Sequence, residues 1–287
     1  MRPKQWLKNM LVFSAPLAAG RLLEPPVLLN SLLAFALFCA AASAIYLIND
    51  LFDRGSDRLH PVKRHRAIAS GEVAPAAAWS AAVLLIVVSL VVPVLLGYLA
   101  LAGVLLSYLV LQLVYVIWAK HQVVVDILIV ASGFGLRGIG GAAANELEVS
   151  QWFVLVLGAG SLFIVAGKRY AEKKKSLASP EQHDRNVLEV YTVDFLRFVW
   201  TLAATLAMLS YSLWAFQITA VDSTLALLSA VPFLAGLLLY ALDIEKGGEV
   251  EEPETALLAD PRLLTAGLLW VLVFTAAVVL PMLRGEA

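Results

Sequence analysis

Three carboxylates and a run of cations stand close together between Tyr46 and Gly71, in YLINDLFDRGSDRLHPVKRHRAIASG. At 100° per residue on a helix, Asp50, Asp53 and Asp57 fall within about 60° of one another, with Asn49 next to Asp50. Carboxylates are hard oxygen donors, and Mg2+ usually bridges one or two of them to the oxygens of a substrate phosphate. Lys63, Arg64 and Arg66 follow directly and suit phosphate oxygens, arginine through paired hydrogen bonds. The chemistry expected is a divalent-metal and phosphate site with Asp50, Asp53 and Asp57 as ligands. A solvated loop beginning at Asp57, followed by an ordinary basic connection, is the plainer alternative. The acids sit at the end of a long apolar stretch, where burying them is costly unless a metal or cations compensate, and this favours the site.

A second constellation, GKRYAEKKK, closes another apolar stretch. Lys168, Glu172 and Lys175 share a helical face at i, i+4 and i+7, with Arg169 and Tyr170 beside them. Cations outnumber acids there, so the face suits anionic oxygens, with Glu172 as a metal or ribose ligand. A basic anchor at a membrane boundary explains the same lysines. Inside a further apolar stretch lie Asp126, just after Lys120 and His121, and Arg137, about 16 Å deeper at 1.5 Å per residue. Ionisable groups within spans are functional candidates by default. Arg137 suits a lipid phosphate or an acid on another span, while the glycines of SGFGLRGIGG suit close helix packing. Tyr191, with Asp194 and Arg197, either closes the site from the other side or anchors its helix at the interface.

The elements that must position these groups are membrane helices. Apolar residues make up 61% of the 287-residue chain and charged ones 15%, with mean hydropathy +0.83, values outside the range of soluble globular domains. Nine stretches approach the length needed to span: about 5–22, 27–52, 75–96, 98–118, 123–144, 150–172, 192–217, 223–242 and 262–283. The first is the weakest, being amphipathic through Trp6, Lys8 and Pro16, and a tilted or interfacial placement stays open for it. Lys and Arg gather in alternate connections, leaving Arg21 and Arg284 on the other side. The positive-inside rule therefore puts the N-terminus and the connections at about 53–74 and 173–191 in the cytoplasm. The connection at 243–260, with Glu245, Glu249, Glu251, Glu252 and Glu254, reads as a solvated acidic loop. Residues 1–287 are expected to form one membrane domain, with Met10–Ala19 retained despite its signal-peptide outline. The single cysteine, Cys39, excludes an internal disulfide or a zinc cluster.

Asn49-Asp50-Leu-Phe-Asp53-Arg-Gly-Ser-Asp57 resembles the NDxxDxxxD signature of the UbiA-type prenyltransferase superfamily. RPKQWLKNMLVFSAPLAAG, DRLHPVKRHRAIASG and GSLFIVAGKRYAEK extend the resemblance along nearly the whole chain, to a phosphoribosyl-transferring branch of that family. The resemblance implies an all-α integral membrane protein, a nine-helix bundle with its active-site cavity open to the cytoplasm. It implies Mg2+ on Asp50, Asp53 and Asp57, with Asn49 orienting the site, in an enzyme of the plasma membrane. The expected reaction moves 5-phosphoribose from phosphoribosyl pyrophosphate to decaprenyl or another polyprenyl phosphate, releasing pyrophosphate, on the way to decaprenylphosphoryl arabinose and cell-wall arabinan. Lys168, Arg169, Lys63 and Arg66 would take the 5-phosphate, and Arg137 or Lys120 the lipid phosphate. No nucleic-acid partner is expected, and homo-oligomerisation stays open.

One departure from the wider family guides this choice. Prenyl-transferring members carry a second DxxxD motif where this chain has Lys168-Arg-Tyr-Ala-Glu172, and a lysine there suits an additional phosphate. Ala67 also stands where such sequences often have proline. The rival readings are prenyl transfer to an aromatic acceptor, and a non-catalytic lipid-binding or transport protein. The latter has no need of three acids beside a basic loop.

Overall fold

The structure is a computed structural model that describes residues 3–178, 186–217, 222–246 and 260–284, and every regular element among them is helical. A 3-10 helix over Pro3–Phe13 leads into α1 (Ser14–Ala18), and α2 (Pro25–Phe52) then runs the length of the fold. Next, α3 (Arg54–Leu59), a 3-10 turn at Lys63–His65 and α4 (Ala67–Ser70) fold back beside the end of α2. The long helices α5 (Pro75–Leu95) and α6 (Leu99–Ile117) lead through a 3-10 turn at Ala119–His121 to α7 (Val125–Ala144) and α8 (Gln151–Ala178). The remainder is α9 (Asn186–Val190), α10 (Val193–Gln217), α11 (Ser223–Leu228), α12 (Ala230–Glu245) and α13 (Pro261–Arg284). Proline opens α2 and α5, where its missing N–H has no helical acceptor to satisfy. Gly71 and Gly97, at φ 91° and 87°, turn the chain after α4 and α5 in a conformation costly for other residues.

Eight helical runs among the described residues are long and apolar enough to cross a membrane, α11 and α12 counting as one run. They match the last eight of the nine stretches expected. The first stretch differs in kind, being mostly 3-10 helix. It packs antiparallel to α2: the Tyr46 hydroxyl donates to Gln5 Oε1 at 3.2 Å, Trp6 Nε1 to Ser43 Oγ at 3.1 Å, and Asn9 Nδ2 to the Cys39 sulfur at 3.2 Å. Phe13 meets Phe35 with ring centroids 5.8 Å apart. From Gln5 to Phe13 a 3-10 helix rises about 16 Å, and α2 rises about 16 Å between Phe35 and Tyr46. The tighter winding thus keeps two segments of unequal length in step.

Apolar packing divides into a cluster of α2, α5 and α6 around Phe38 and Leu105, and one of α7, α8, α10 and α12 around Phe163 and Trp200. A third, around Tyr211, Trp214 and Phe274, holds α10, α11 and α13. At Gly141 of α7 a methyl group would overlap the Val12 carbonyl, so the absence of a side chain there lets the N-terminal segment seat against α7. Charged groups collect at one end of the bundle, where Lys120 meets Asp53, Lys174 meets Glu245 and Arg262 meets Asp243. Arg21 and Glu24 pair at the other end, ahead of α2.

The two connections expected to flank the site are more helical than the spacing predicts. The first contains α3 and α4. The second begins later, because α8 continues through Lys173 and Lys174 to Ala178. Lys173 Nζ donates to the Leu188 carbonyl at 2.6 Å and Lys174 Nζ to that of Glu245 at 2.9 Å, which fixes this extra turn to α9 and α12. Residues 179–185, and the expected acidic group Glu249, Glu251, Glu252 and Glu254, lie outside the described residues.

Candidate active site

Five elements meet at the charged end: the end of α2, the α3–α4 connection, the α6–α7 corner, the end of α8 and the residues after α9. The path of α2 loosens at Asp53, which has φ −85° and ψ 0° between α2 and α3. Its backbone N–H still donates to the Asn49 carbonyl at 2.9 Å, and the Asp57 N–H to the Asp53 carbonyl at 2.8 Å. The acids therefore stay about a turn apart, yet they take two different directions. Arg66 Nη1 lies 3.3 Å from Asp50 Oδ1 and 2.8 Å from Asp57 Oδ2. Asp53 Oδ1 instead accepts from Lys120 Nζ at 2.6 Å, across from the α6–α7 corner. Asp57 is buried, Asp50 and Asp53 are half-buried, and Asn49 is half-buried beside them.

Arg66 reaches the acids because the connection is folded against α2. Arg58 Nε donates to the Ala69 carbonyl at 3.0 Å and ties α3 to α4. Arg66 sits extended at ψ 137° just before α4. Lys63 is half-buried in the 3-10 turn, and Arg64 is exposed, its Nε donating to His65 Nε2 at 3.4 Å.

The α6–α7 corner joins this acid group to α8. Asp126, in the first turn of α7 and 1% exposed, accepts from Arg169 Nε at 2.9 Å and from the Tyr191 hydroxyl at 2.5 Å. Arg169 also donates from Nη1 to Glu172 Oε2 at 2.7 Å and from Nη2 to the Tyr115 hydroxyl at 3.3 Å. The Tyr191 oxygen accepts from the backbone N–H of Val124 at 2.6 Å, and Val124 has a left-handed φ of 70° that a β-branched residue rarely adopts. Burial, and then the bond to the Asp126 carboxylate, raise the Tyr191 pKa above the ordinary phenol value, so its hydroxyl stays a donor. Asp126, Arg169, Glu172 and Tyr191 are thus brought together, with Lys120 and Asp53 on the far side of the corner.

Two expected residues lie elsewhere. The Tyr170 hydroxyl donates to Glu245 Oε1 at 2.8 Å and accepts from Arg197 Nη2 at 2.9 Å, so Tyr170 faces α10 and α12. Arg137 is buried and bonded to neutral acceptors: Asn9 Oδ1 at 2.7 Å, the Gly133 carbonyl at 2.6 Å and the Tyr108 hydroxyl at 3.0 Å. It lies at the level of Cys39, about 16 Å along α2 from Asp50. Tyr115 joins the site without having been singled out in the sequence, because it sits in an apolar run that gives no signal of its own.

A metal-binding arrangement fits part of this geometry. Asp50 and Asp57 both reach one cationic nitrogen, so a single cation can be held between them. Among the described residues no three acid, histidine or cysteine side chains converge as a ready metal site. Two carboxylates, with phosphate oxygens and water completing the shell, is the usual manner of Mg2+.

Eight apolar helical runs and a carboxylate–cation site at one end define a membrane-embedded enzyme. A sequence model of the UbiA prenyltransferase family matches residues 10–244, and the chain belongs to that family. It is a transferase, and four curated relatives that match it along nearly its whole length share one name. The decaprenyl-phosphate phosphoribosyltransferase of Mycolicibacterium smegmatis is 45% identical, over 97% of this chain and 91% of that protein. Those of Mycobacterium tuberculosis H37Rv and Corynebacterium glutamicum are 44% and 42% identical, over 97% and 98% of this chain and 92% and 86% of theirs. Among solved structures, a UbiA homolog from Archaeoglobus fulgidus bound to GPP and Mg2+ superposes with TM-score 0.71 at 17% identity, over 96% of this chain and 97% of that one. At that identity the likeness concerns the fold.

Proposed function

We propose that the protein transfers 5-phosphoribose from phosphoribosyl pyrophosphate to decaprenyl phosphate, or to another polyprenyl phosphate, at the cytoplasmic face of the plasma membrane. The observation that carries this reading is the state of the α8 end. Lys168 replaces one acid of a second DxxxD motif, and Glu172 is already paired with Arg169. That end is therefore unsuited to a second diphosphate-bound metal ion and suited to another anionic group, which a 5-phosphate supplies and a prenyl diphosphate lacks. The names of the relatives agree with it.

In this reading Asp50 and Asp57 would hold Mg2+, with Asp53 a further candidate ligand once Lys120 releases it, and the ion would supply positive charge to offset that developing on the leaving pyrophosphate. Arg66 and Lys120 already lie beside these acids and are placed to take phosphate oxygens. Lys168 and Lys63 are the candidates for the 5-phosphate. An oxygen of the lipid phosphate attacks ribose C1, a new C1–O bond forms as the bond to pyrophosphate breaks, and C1 inverts. A phosphate monoester is already an anionic nucleophile, so the step requires no strong general base. The N-terminal 3-10 helix and α1 together rise about 30 Å, enough to serve as the ninth crossing. In this reading the N-terminus lies with the site in the cytoplasm, which the gathering of Lys and Arg in alternate connections supports. The product feeds arabinan assembly in the cell wall.

Purified protein incubated with Mg2+, polyprenyl phosphate and labelled phosphoribosyl pyrophosphate should yield labelled lipid, and EDTA should stop it. Absence of labelled lipid, with turnover instead of a prenyl diphosphate and an aromatic acid, would overturn the reading.

A further inference from the structure

We infer that Arg66 is a resident counter-ion that keeps free divalent metal out of the acidic site and yields its place to a metal ion that arrives together with pyrophosphate. The inference rests on the donor site proposed above. Asp57 and Asp50 are largely withdrawn from water, with side chains 5% and 14% exposed, so both need positive charge beside them whether or not substrate is present. One Arg66 nitrogen serves both, and Lys120 serves Asp53. Each acid of the motif is therefore already compensated by the protein.

A metal ion entering alone must displace this guanidinium from two carboxylates and brings it no anion in exchange. When pyrophosphate enters with the metal, the displaced Arg66 gains phosphate oxygens, which its planar fork matches in pairs. Metal and pyrophosphate thereby bind cooperatively through one side chain. The connection is built for such a swing. The Arg58 bond to Ala69 at 3.0 Å holds its backbone, while the Arg66 side chain, 26% exposed, lies at the rim with solvent on one side. The exchange needs side-chain rotation and no movement of α3 or α4.

The test uses the full-length protein in detergent, with Mn2+ followed by electron paramagnetic resonance, with and without inorganic pyrophosphate. The wild type should bind Mn2+ weakly alone and markedly more tightly with pyrophosphate. Arg66→Gln should bind Mn2+ alone about tenfold more tightly than wild type, the scale of the charge-assisted bonds removed, and should lose most of the pyrophosphate effect. Arg66→Lys, which keeps the charge and lacks the fork, should fall between them. An Arg66→Gln protein that binds Mn2+ alone no more tightly than wild type would overturn the counter-ion role. A wild type that fails to take up Mn2+ even with pyrophosphate would instead overturn the donor site beneath it.

Discussion

Asp126→Asn offers the most direct measure of how the α6–α7 corner is held. The substitution preserves shape and keeps an oxygen for the Tyr191 hydroxyl, but removes the charge facing Arg169 Nε at 2.9 Å. Breaking one side of a buried ion pair costs about 3–5 kcal/mol, because the partner charge is left without compensation. Arg169 keeps Glu172 at 2.7 Å, which puts the expected loss near the lower end, at about 3 kcal/mol. At roughly 2–4 °C per kcal/mol for a chain of a few hundred residues, the midpoint of thermal unfolding should fall by about 6–12 °C. Tryptophan fluorescence of detergent-solubilised protein would follow it. A cycle with Arg169→Met should show coupling of about 2 kcal/mol, the double variant losing less than the sum of the singles. A shift below about 2 °C for Asp126→Asn, or additivity within about 0.5 kcal/mol, would refute the view that this pair fixes the corner.

Three further outcomes follow from the geometry. Asp50→Asn and Asp53→Asn should each lower Mg2+-dependent turnover by about a hundredfold or more, measured as labelled lipid formed, since each removes a group beside the developing charge. Gly141→Ala should cost about 2 kcal/mol or more in thermal unfolding, because its methyl meets the Val12 carbonyl, whereas Gly158→Ala, with open space around it, should be neutral or mildly stabilising. Tyr191→Phe should release Val124 from its left-handed conformation, seen as faster amide hydrogen exchange around residues 122–126, with Asp126 still paired to Arg169.

The long helices were legible because a membrane span needs a run of apolar residues and little else, so α2, α5, α6, α7, α10, the α11–α12 run and α13 fall close to the expected limits, while α8 runs past its expected end and α9 was not expected at all. The acid group at the end of α2 was legible from type and spacing. Its pairing was not: Asp53 takes Lys120, 67 positions away, and helical periodicity says nothing about which distant cation will lie across from it. Tyr170 shows what periodicity does contain. At 200° from Lys168 on the same helix it belongs to the opposite face, where Glu245 and Arg197 engage it. Arg137 invited an anionic partner on charge alone, yet it is satisfied by an amide, a carbonyl and a phenol brought together from Asn9, Gly133 and Tyr108. The 3-10 winding of the first segment had no sequence signature, since it is enforced by packing against α2 and α7.

That winding makes the first segment intolerant of changes in length. With three residues per turn, Trp6, Asn9 and Val12 form one straight row, which meets Ser43, Cys39 and Gly141 in succession while Leu7 and Met10 point outward. Deleting one residue before Trp6 would leave the row intact. Deleting one between Trp6 and Val12 would rotate all that follows by about 120° and drive a different side chain against every seat. The spacing between these residues, more than their chemical type, is what a library of insertions and deletions across this segment should find indispensable.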